Sequence, residues 1–166
     1  MRYMKLNRQD RYALVGRLAG MPDFLEATFG KLDQVEAATR GPHDEPSPVE
    51  QCWHLADLER EGYAVRIRRL LDENDAMLPD FDGTRMARDR NYRALPLGAA
   101  IVAFRDARAA NLAALRQVQA GDWLRAGTQE GVGPVALCDI PAMMDQHDEA
   151  HRSEIDAWLR ERTQGR

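Results

Sequence analysis

The sequence lacks the features that mark several large classes of protein. It has only two cysteines, Cys52 and Cys138, in 166 residues, and they form no Cys-x-x-Cys pair. A thiolate zinc knuckle and a disulfide framework are therefore not indicated, although the spacing leaves a disulfide between these two open. The longest nearly apolar stretch, residues 95–104, is far shorter than the roughly 20 residues that cross a bilayer. No apolar segment follows the charged N-terminus, so the pattern predicts a cytoplasmic protein without a secretory signal.

Basic patches and phosphate-binding motifs are also missing. The formal net charge is −4, and basic residues are interleaved with acidic ones, which argues against a nucleic-acid partner. There is no Gly-x-Gly-x-x-Gly and no glycine-lysine phosphate loop, so a nucleotide cradle is not indicated. No segment alternates β-branched apolar residues with polar ones, as a half-buried strand would. These absences argue against nucleic-acid and nucleotide binding, and the lack of strand patterns favours an all-α protein.

The composition and the spacing of apolar residues predict helices. Apolar residues make up 44% and charged residues 30% of the chain, the balance of an ordinary globular protein, and we interpret residues 1–166 as one domain. Apolar positions recur at intervals of three and four in four regions. These regions run from about Gln9 to Arg40, from Ser47 to Leu71, from Leu97 to Gln119 and from Val135 to Arg162. A long aperiodic stretch separates the second from the third, so the sequence predicts a four-helix bundle with long crossover connections.

Local residues set the predicted ends of these helices. Ser47 is a natural N-cap, Pro48 suits the first helical position, and Glu50 completes a capping box. Pro22 is expected to interrupt the first region and start its main helix. Pro141 is expected either to kink the fourth region or to mark its true start. Gly121 should end the third.

Three histidines form the most informative pattern. His147 and His151 stand four residues apart, so both imidazoles share one helix face. That face otherwise carries Ile140, Met143, Met144, Glu154, Ile155 and Trp158, so the pair should point inward. His54 takes a similar place near the start of the buried stripe of the second helix. Three neutral imidazoles from two helices would bind a divalent metal and leave coordination positions open.

Other readings of these residues stay open. Histidines on an apolar face are also commonly hydrogen-bonded in a core, and a bound metal can be purely structural. Glu50, Asp57 and Glu154 are the candidates to accept the second ring N–H of a histidine and fix its tautomer. Glu154 shares the histidine face and is the best candidate for a general base.

Several neighbouring residues are excluded from the site. Cys52 falls on roughly the opposite side of its helix from His54, which argues against a thiolate ligand. His43 lies in a proline-rich loop and is interpreted as a surface residue. Asp148 replaces the glutamate of a His-Glu-x-x-His motif and lies off the histidine face, so a zincin protease is not favoured.

Three motifs in order resemble the DinB/YfiT-like superfamily. They are His54-Leu55-Ala56-Asp57-Leu58-Glu59, Phe104 with Arg108, and His147-Asp148-Glu149-Ala150-His151. The resemblance covers the chain from about residue 24 to residue 159. It departs from the family pattern at Pro46, where a tryptophan often stands, and at Pro141 in the fourth helix.

The resemblance implies both a fold and a function. It implies a four-helix bundle, usually a homodimer, in which His54, His147 and His151 bind zinc, nickel or iron. It also implies a metal-dependent enzyme of stress response or detoxification, either a transferase that uses a low-molecular-weight thiol or a hydrolase, with a thiol or electrophilic substrate. The alternative is a non-catalytic stress-response bundle with a structural or vestigial metal site. Arg108 is expected either to meet an anionic substrate or to form a structural ion pair.

Overall fold

Four long helical runs form the body of the computed structural model, which describes residues 2–164. The helices are α1 (Arg2–Lys5), α2 (Arg8–Phe29), α3 (Gln34–Ala37), α4 (Pro48–Asp57), α5 (Ala64–Asp72), α6 (Gly83–Asp89), α7 (Leu97–Arg116) and α8 (Ile140–Gln164). A π-helical segment, Leu58–Tyr63, joins α4 to α5, and 3-10 turns lie at Tyr92–Ala94, Asp122–Leu124 and Leu137–Asp139. Helix α7 packs against α4 and α2, and α2 packs against α8, which confirms the predicted bundle. No helix among residues 2–164 is both long and apolar enough to cross a membrane.

Helix α2 continues without interruption through Pro22, so the predicted break at that residue is wrong. A proline has no N–H to donate to the carbonyl four residues earlier, here that of Leu18. The Leu18 carbonyl instead accepts a hydrogen bond of 3.0 Å from the buried side chain of Arg108 in α7. A tertiary contact therefore uses the acceptor that the proline leaves free.

The second helical run begins as predicted but contains an unpredicted π segment. Ser47 is the N-cap, and the carboxylate of Glu50 accepts from its N–H at 3.0 Å and from its hydroxyl at 2.7 Å. The run ends at Asp72, one residue beyond the prediction. In the π segment, the carbonyl of Glu59 accepts from the N–H five residues later and also from Asn111 Nδ2 at 3.0 Å. An inserted side-chain donor is a recognised cause of such widening.

The last two long helices differ from the prediction at their ends. Helix α7 ends at Arg116, before Gly121, which lies outside the helix. Helix α8 begins at Ile140 with Pro141 as its second residue, so this proline marks a start and not a kink. A proline is tolerated there because the first helical N–H groups have no partner within the helix.

The crossover connections also form a small three-stranded sheet, which the sequence did not indicate, and the fold class is all-α as predicted. Its strands are β1 (Ala76–Leu78), β2 (Ala126–Gln129) and β3 (Gly133–Ala136), with β1 parallel and β3 antiparallel to β2. Gly127 is needed in β2 because a Cβ there would lie 2.3 Å from the Ala76 carbonyl oxygen. Strands of three or four residues are too short to show a readable alternation.

The apolar core is divided into two halves along the bundle. One half contains Leu14, Leu18, Ile67, Leu70, Leu112, Leu115, Ile140 and Met144. The other contains Met21, Leu25, Phe29, Leu55, Ile101, Phe104, Ile155 and Trp158. Three buried charged side chains lie between the two halves, one each on the second, third and fourth helical runs. They are Glu59, Arg108 and Asp148, which we call the polar layer. In α8 the two histidines occupy the same level, between Met144 and Ile155.

Candidate metal centre

The structure brings together the three histidines predicted as metal ligands. One ring nitrogen from each of His54, His147 and His151 lies within 4.8 Å of the others. The Nε2 atoms of His54 and His147 are 3.4 Å apart, and the ring centroids of His147 and His151 are 4.6 Å apart. The three rings therefore face one point between the second and fourth helical runs.

Burial keeps these imidazoles neutral at physiological pH. It lowers the pKa of His54 to about 4, with a further contribution from the charge of His151. The pKa of His147 falls to about 3 through burial and the charges of the other two histidines, and burial lowers the pKa of His151 to about 4. The neutral ring is the form that binds a metal, so protons do not compete for these nitrogens near pH 7.

Gln51 orients His151, a contact that sequence reasoning missed. Its Oε1 lies 3.2 Å from Nδ1 of His151, and Gln51 is only 3% exposed. An amide oxygen only accepts, so Nδ1 carries the proton and Nε2 keeps the lone pair for a metal. Glu154 Oε2 is farther from Nδ1, at 3.5 Å, on a side chain 54% exposed. The one sequence signal for Gln51 is its place three residues before His54 on the same helix face.

Gly83, at the start of α6, lies against the ring of His54. A Cβ at this position would be 2.6 Å from Cε1 and 2.7 Å from Nδ1 of His54. The ring of Phe81 borders the other side of the imidazole, with its centroid 5.9 Å away. Because real Cβ atoms do not approach so closely, glycine at 83 is what allows His54 to keep its orientation.

The carboxylate of Asp57 is committed to the crossover between α5 and α7. It accepts hydrogen bonds from the Tyr92 hydroxyl at 2.5 Å, from Arg90 Nη1 at 2.7 Å and from Arg60. Burial would raise the pKa of Asp57, but these three donors hold it below its usual value. Asp57 is one of the candidate acceptors for a histidine N–H, but its carboxylate is occupied by these donors and holds the crossover in place instead.

Glu50 is likewise occupied away from the histidines. Besides its capping contact with Ser47, it forms an ion pair of 2.6 Å with Arg40. Of the three acids that the sequence offered as histidine partners, only Glu154 lies beside a ring.

Arg108 forms a structural ion pair in the polar layer, the second of its two predicted roles. Its guanidinium donates to both oxygens of Glu59, at 2.9 and 3.1 Å, and to both oxygens of Asp148, at 2.6 and 2.9 Å. Burial opposes its charge, but the bonds to Asp148 and the charge of Glu59 raise the pKa of Arg108 above its usual value. Asp148 does lie outside the histidine group, yet it is only 3% exposed. Arg108 therefore links Asp148, which follows His147 in the chain, to Glu59 in the π segment.

A cavity of about 790 Å³ adjoins the histidines. His54, His151 and Glu154 are among the residues that line it, and residues of the crossover between α5 and α7, including Gly83 and Tyr92, line the part of its wall that we call the roof. The excluded residues behave as predicted: His43 is exposed, and Cys52 is a free, buried cysteine outside the histidine group. Cys138 is also free, so the disulfide left open by the sequence is not formed.

The residues present fit a divalent transition metal. Two imidazole nitrogens bound at about 2.0–2.1 Å to one tetrahedral ion lie roughly 3.3 Å apart. The separation of 3.4 Å between His54 and His147 matches that value. The rings are neutral, the tautomer of His151 is fixed by Gln51, and the cavity leaves room for further ligands. Such a set of three imidazoles with open positions is typical of catalytic metal sites.

Comparison with known proteins identifies the class. Residues 17–155 match the DinB superfamily, and the chain therefore belongs to that superfamily. This confirms the resemblance seen in the histidine motifs. A comparison with curated protein sequences gives no significant match.

Two solved structures share the fold. YfiT from Bacillus subtilis, described as a probable metal-dependent hydrolase with an unusual four-helix bundle topology, matches with a TM-score of 0.84 at 14% identity. The match covers 94% of this chain and 89% of that protein. The mycothiol-dependent maleylpyruvate isomerase matches with a TM-score of 0.73 at 11% identity, over 92% of this chain. This chain spans 62% of the length of the isomerase.

Proposed function

We propose that the protein binds a divalent transition metal through His54, His147 and His151 and is a metal-dependent enzyme that uses a low-molecular-weight thiol. The observation that carries the proposal is the convergence of three neutral ring nitrogens within 4.8 Å of one another, beside an open cavity that His54 and His151 line. A structural site normally has four protein ligands, whereas a catalytic site leaves a position for substrate.

The bound ion would lower the pKa of a thiol or water at the site and so supply a nucleophile. The chain's own residues orient the ligands and accept the released proton. Gln51 holds the proton of His151 on Nδ1, and the polar layer fixes the helix that carries His147. Glu154, which lines the cavity beside His151, is the group we assign to take up the proton released from the thiol, at its Oε2 atom. Asp57 contributes by holding the roof in place.

The relatives support this class of reaction without defining it. One is described as a probable metal-dependent hydrolase and the other as a mycothiol-dependent isomerase, so metal and thiol dependence both occur on this fold. Zinc, nickel and iron all suit three imidazoles, and the identity of the metal stays a prediction. The homodimer, the cytoplasmic location and the role in stress response or detoxification, which the resemblance implies, also stay predictions.

Elemental analysis of the purified protein tests the metal site directly. We expect about one divalent ion per chain in the wild type and a large loss of metal affinity in His54→Ala, His147→Ala and His151→Ala. His43→Ala is the matched control, because His43 is exposed and forms a separate cluster with Glu45 and Glu161. If the wild type holds no ion and His147→Ala leaves metal affinity unchanged, the proposal fails. Loss of the ion from His43→Ala alone would place the metal in the other cluster.

Two further measurements separate a catalytic from a structural metal. Transfer of low-molecular-weight thiols to electrophilic substrates should depend on the metal and be lost in the His147→Ala variant. A chelator that abolishes this activity while lowering the unfolding midpoint only slightly would indicate catalysis, whereas a large loss of stability without any activity would indicate a structural site. Histidines that are merely hydrogen-bonded would show no effect of the chelator.

A further inference from the structure

The roof of the cavity carries two arginines that face the same space. Arg88 at the end of α6 and Arg93 in the following 3-10 turn both line the cavity. Between them Asn91, which also lines the cavity, adopts a left-handed conformation with φ 48° and ψ 58°. Asn91 is the N-cap of the 3-10 turn, and the neighbouring Arg90 pairs with the carboxylates of Asp57 and Glu61.

These two guanidinium groups have unused donors. Arg93 donates through Nε to the carbonyl of Ala38 at 3.3 Å, which leaves its two terminal nitrogens without a hydrogen bond or ion pair among residues 2–164. Within residues 2–164 the guanidinium of Arg88 hydrogen-bonds only to the carboxylate of its neighbour Asp89, through Nε at 3.2 Å, and its side chain is 74% exposed. Arg40, the third arginine of the cavity wall, is by contrast held by two carboxylates.

The charges of the cavity wall are therefore unevenly placed. The charges of Arg40 and Glu50 cancel each other, and the negative charge of Glu154 lies beside His151. The roof carries the remaining positive charge, on Arg88 and Arg93. Guanidinium groups with free N–H pairs match the oxygens of a carboxylate or a phosphate, and such charge-assisted bonds are about twice as strong as neutral ones.

We infer that the cavity takes a ligand with an oxyanion, a carboxylate or a phosphate, which Arg88 and Arg93 bind while the reacting end of the ligand faces the histidines. The position of the reacting end rests on the proposed function. The preference for a negative charge rests only on the two arginines.

Matched pairs of thiols that differ in this charge test the inference. Glutathione and its diethyl ester differ in carboxylates, and 4′-phosphopantetheine and pantetheine differ in a phosphate. On the Co²⁺-loaded protein, thiol binding is followed by the thiolate-to-cobalt absorption band. We expect at least one anionic member to bind roughly fivefold or more tightly than its partner. Which pair shows the larger preference tells a carboxylate from a phosphate.

Variants assign the preference to the two arginines. The double variant Arg88→Gln/Arg93→Gln should lose the preference and keep the Co²⁺ affinity of the wild type. Arg85→Gln is the matched control, since Arg85 lies on the same helix, pairs with Asp89 and does not line the cavity. It should keep the preference. Equal binding of the charged and uncharged members by the wild type, or a preference that survives in the double variant, would overturn the inference.

A metal-independent arm distinguishes this result from a failure of the proposed function. S-methylglutathione and its diethyl ester have no free thiol, and their binding to metal-free protein is measured by saturation-transfer NMR. A preference for the charged compound that disappears in the double variant supports the anion site even if the protein binds no metal. Normal Co²⁺ loading with no preference in either arm refutes the anion site and leaves the metal proposal standing.

Discussion

Replacing Arg108 by methionine removes the cation of the polar layer and leaves its two carboxylates. The substitution deletes five hydrogen bonds, two to Glu59, two to Asp148 and one to the Leu18 carbonyl. Glu59 is 1% and Asp148 3% exposed, so water does not replace the lost donors. Methionine fills much of the same space, which keeps the comparison one of charge and hydrogen bonding.

The expected cost is large on the scale of protein stability. Removing one partner of a buried ion pair typically destabilises by about 3–5 kcal/mol, because the other charge stays buried without compensation. A domain of this size is stable by roughly 5–15 kcal/mol, so the variant should lose a substantial part of its free energy of unfolding. Arg105→Met is the matched control one turn earlier in α7. Arg105 pairs with an exposed Asp23, and its loss should cost less than about 1 kcal/mol.

Urea unfolding of metal-free protein at pH 7 and pH 5 measures this cost and its origin. Burial raises the pKa of Glu59 and of Asp148 above their usual values, and loss of Arg108 removes the charge that opposes this shift. A native carboxyl with a raised pKa binds protons that the unfolded chain releases, so the native state gains stability as the pH falls towards the usual carboxyl pKa. The deficit of Arg108→Met relative to the wild type should therefore shrink at pH 5.

Two results would refute this reasoning. One is a cost as small as that of Arg105→Met, which would mean that the polar layer does not stabilise the fold. The other is a large deficit that does not change between pH 7 and pH 5, which would point to lost packing instead of uncompensated charge. The triple variant Arg108→Met/Glu59→Met/Asp148→Leu, which has no charges in the layer, should recover most of the stability.

Two further predictions concern the histidines. Gly83→Ala should displace the ring of His54 and lower metal affinity roughly 10-fold or more with little change in stability. Competition with a chromogenic chelator measures the affinity. Gly98→Ala is the control and should have no effect, because a Cβ there meets nothing within 4 Å. Metal-free protein should lose stability as the pH falls from 6.5 towards 4, because the native pKa values of His54, His147 and His151 are about 4, 3 and 4, and the unfolded chain takes up protons first. The slope is up to about 1.4 kcal/mol per pH unit for each histidine. In urea unfolding, His54→Leu should reduce the slope of the unfolding free energy against pH. An equal slope in wild type and variant would contradict the lowered pKa values.

The parts of the site that could be predicted from sequence depend on residues close together in the chain. The start of α4 at Ser47 follows from its capping box, and the inward direction of His147 and His151 follows from the spacing of apolar residues around them. The approach of His54 needed only that two amphipathic faces share one core. Periodicity and capping are local, so they survive folding unchanged.

The parts that escaped prediction depend on contacts between distant residues. The continuation of α2 through Pro22 depends on Arg108, which lies in another helix and donates to the carbonyl left free. The π segment depends on Asn111, and the tautomer of His151 depends on Gln51, a hundred residues earlier. Local propensity predicts a break at Pro22 and a regular α-helix in place of the π segment, and it says nothing of a histidine tautomer; at each of these places a single tertiary hydrogen bond decides.

The polar layer and the candidate metal centre place related demands on the bundle. A purely apolar layer would stabilise the helices as well or better, but apolar contacts repeat along a helix and tolerate a shift of α8 by a turn, about 5.4 Å. The hydrogen bonds of Arg108 to Glu59 and Asp148 allow one register only, and a metal site tolerates errors of only about 0.2 Å in its ligand distances. Asp148 follows His147 directly, so the register that these bonds set is also the register of a candidate metal ligand. The triple variant should therefore fold stably and still bind metal more weakly than the wild type, since its core keeps apolar packing and loses the directional contacts.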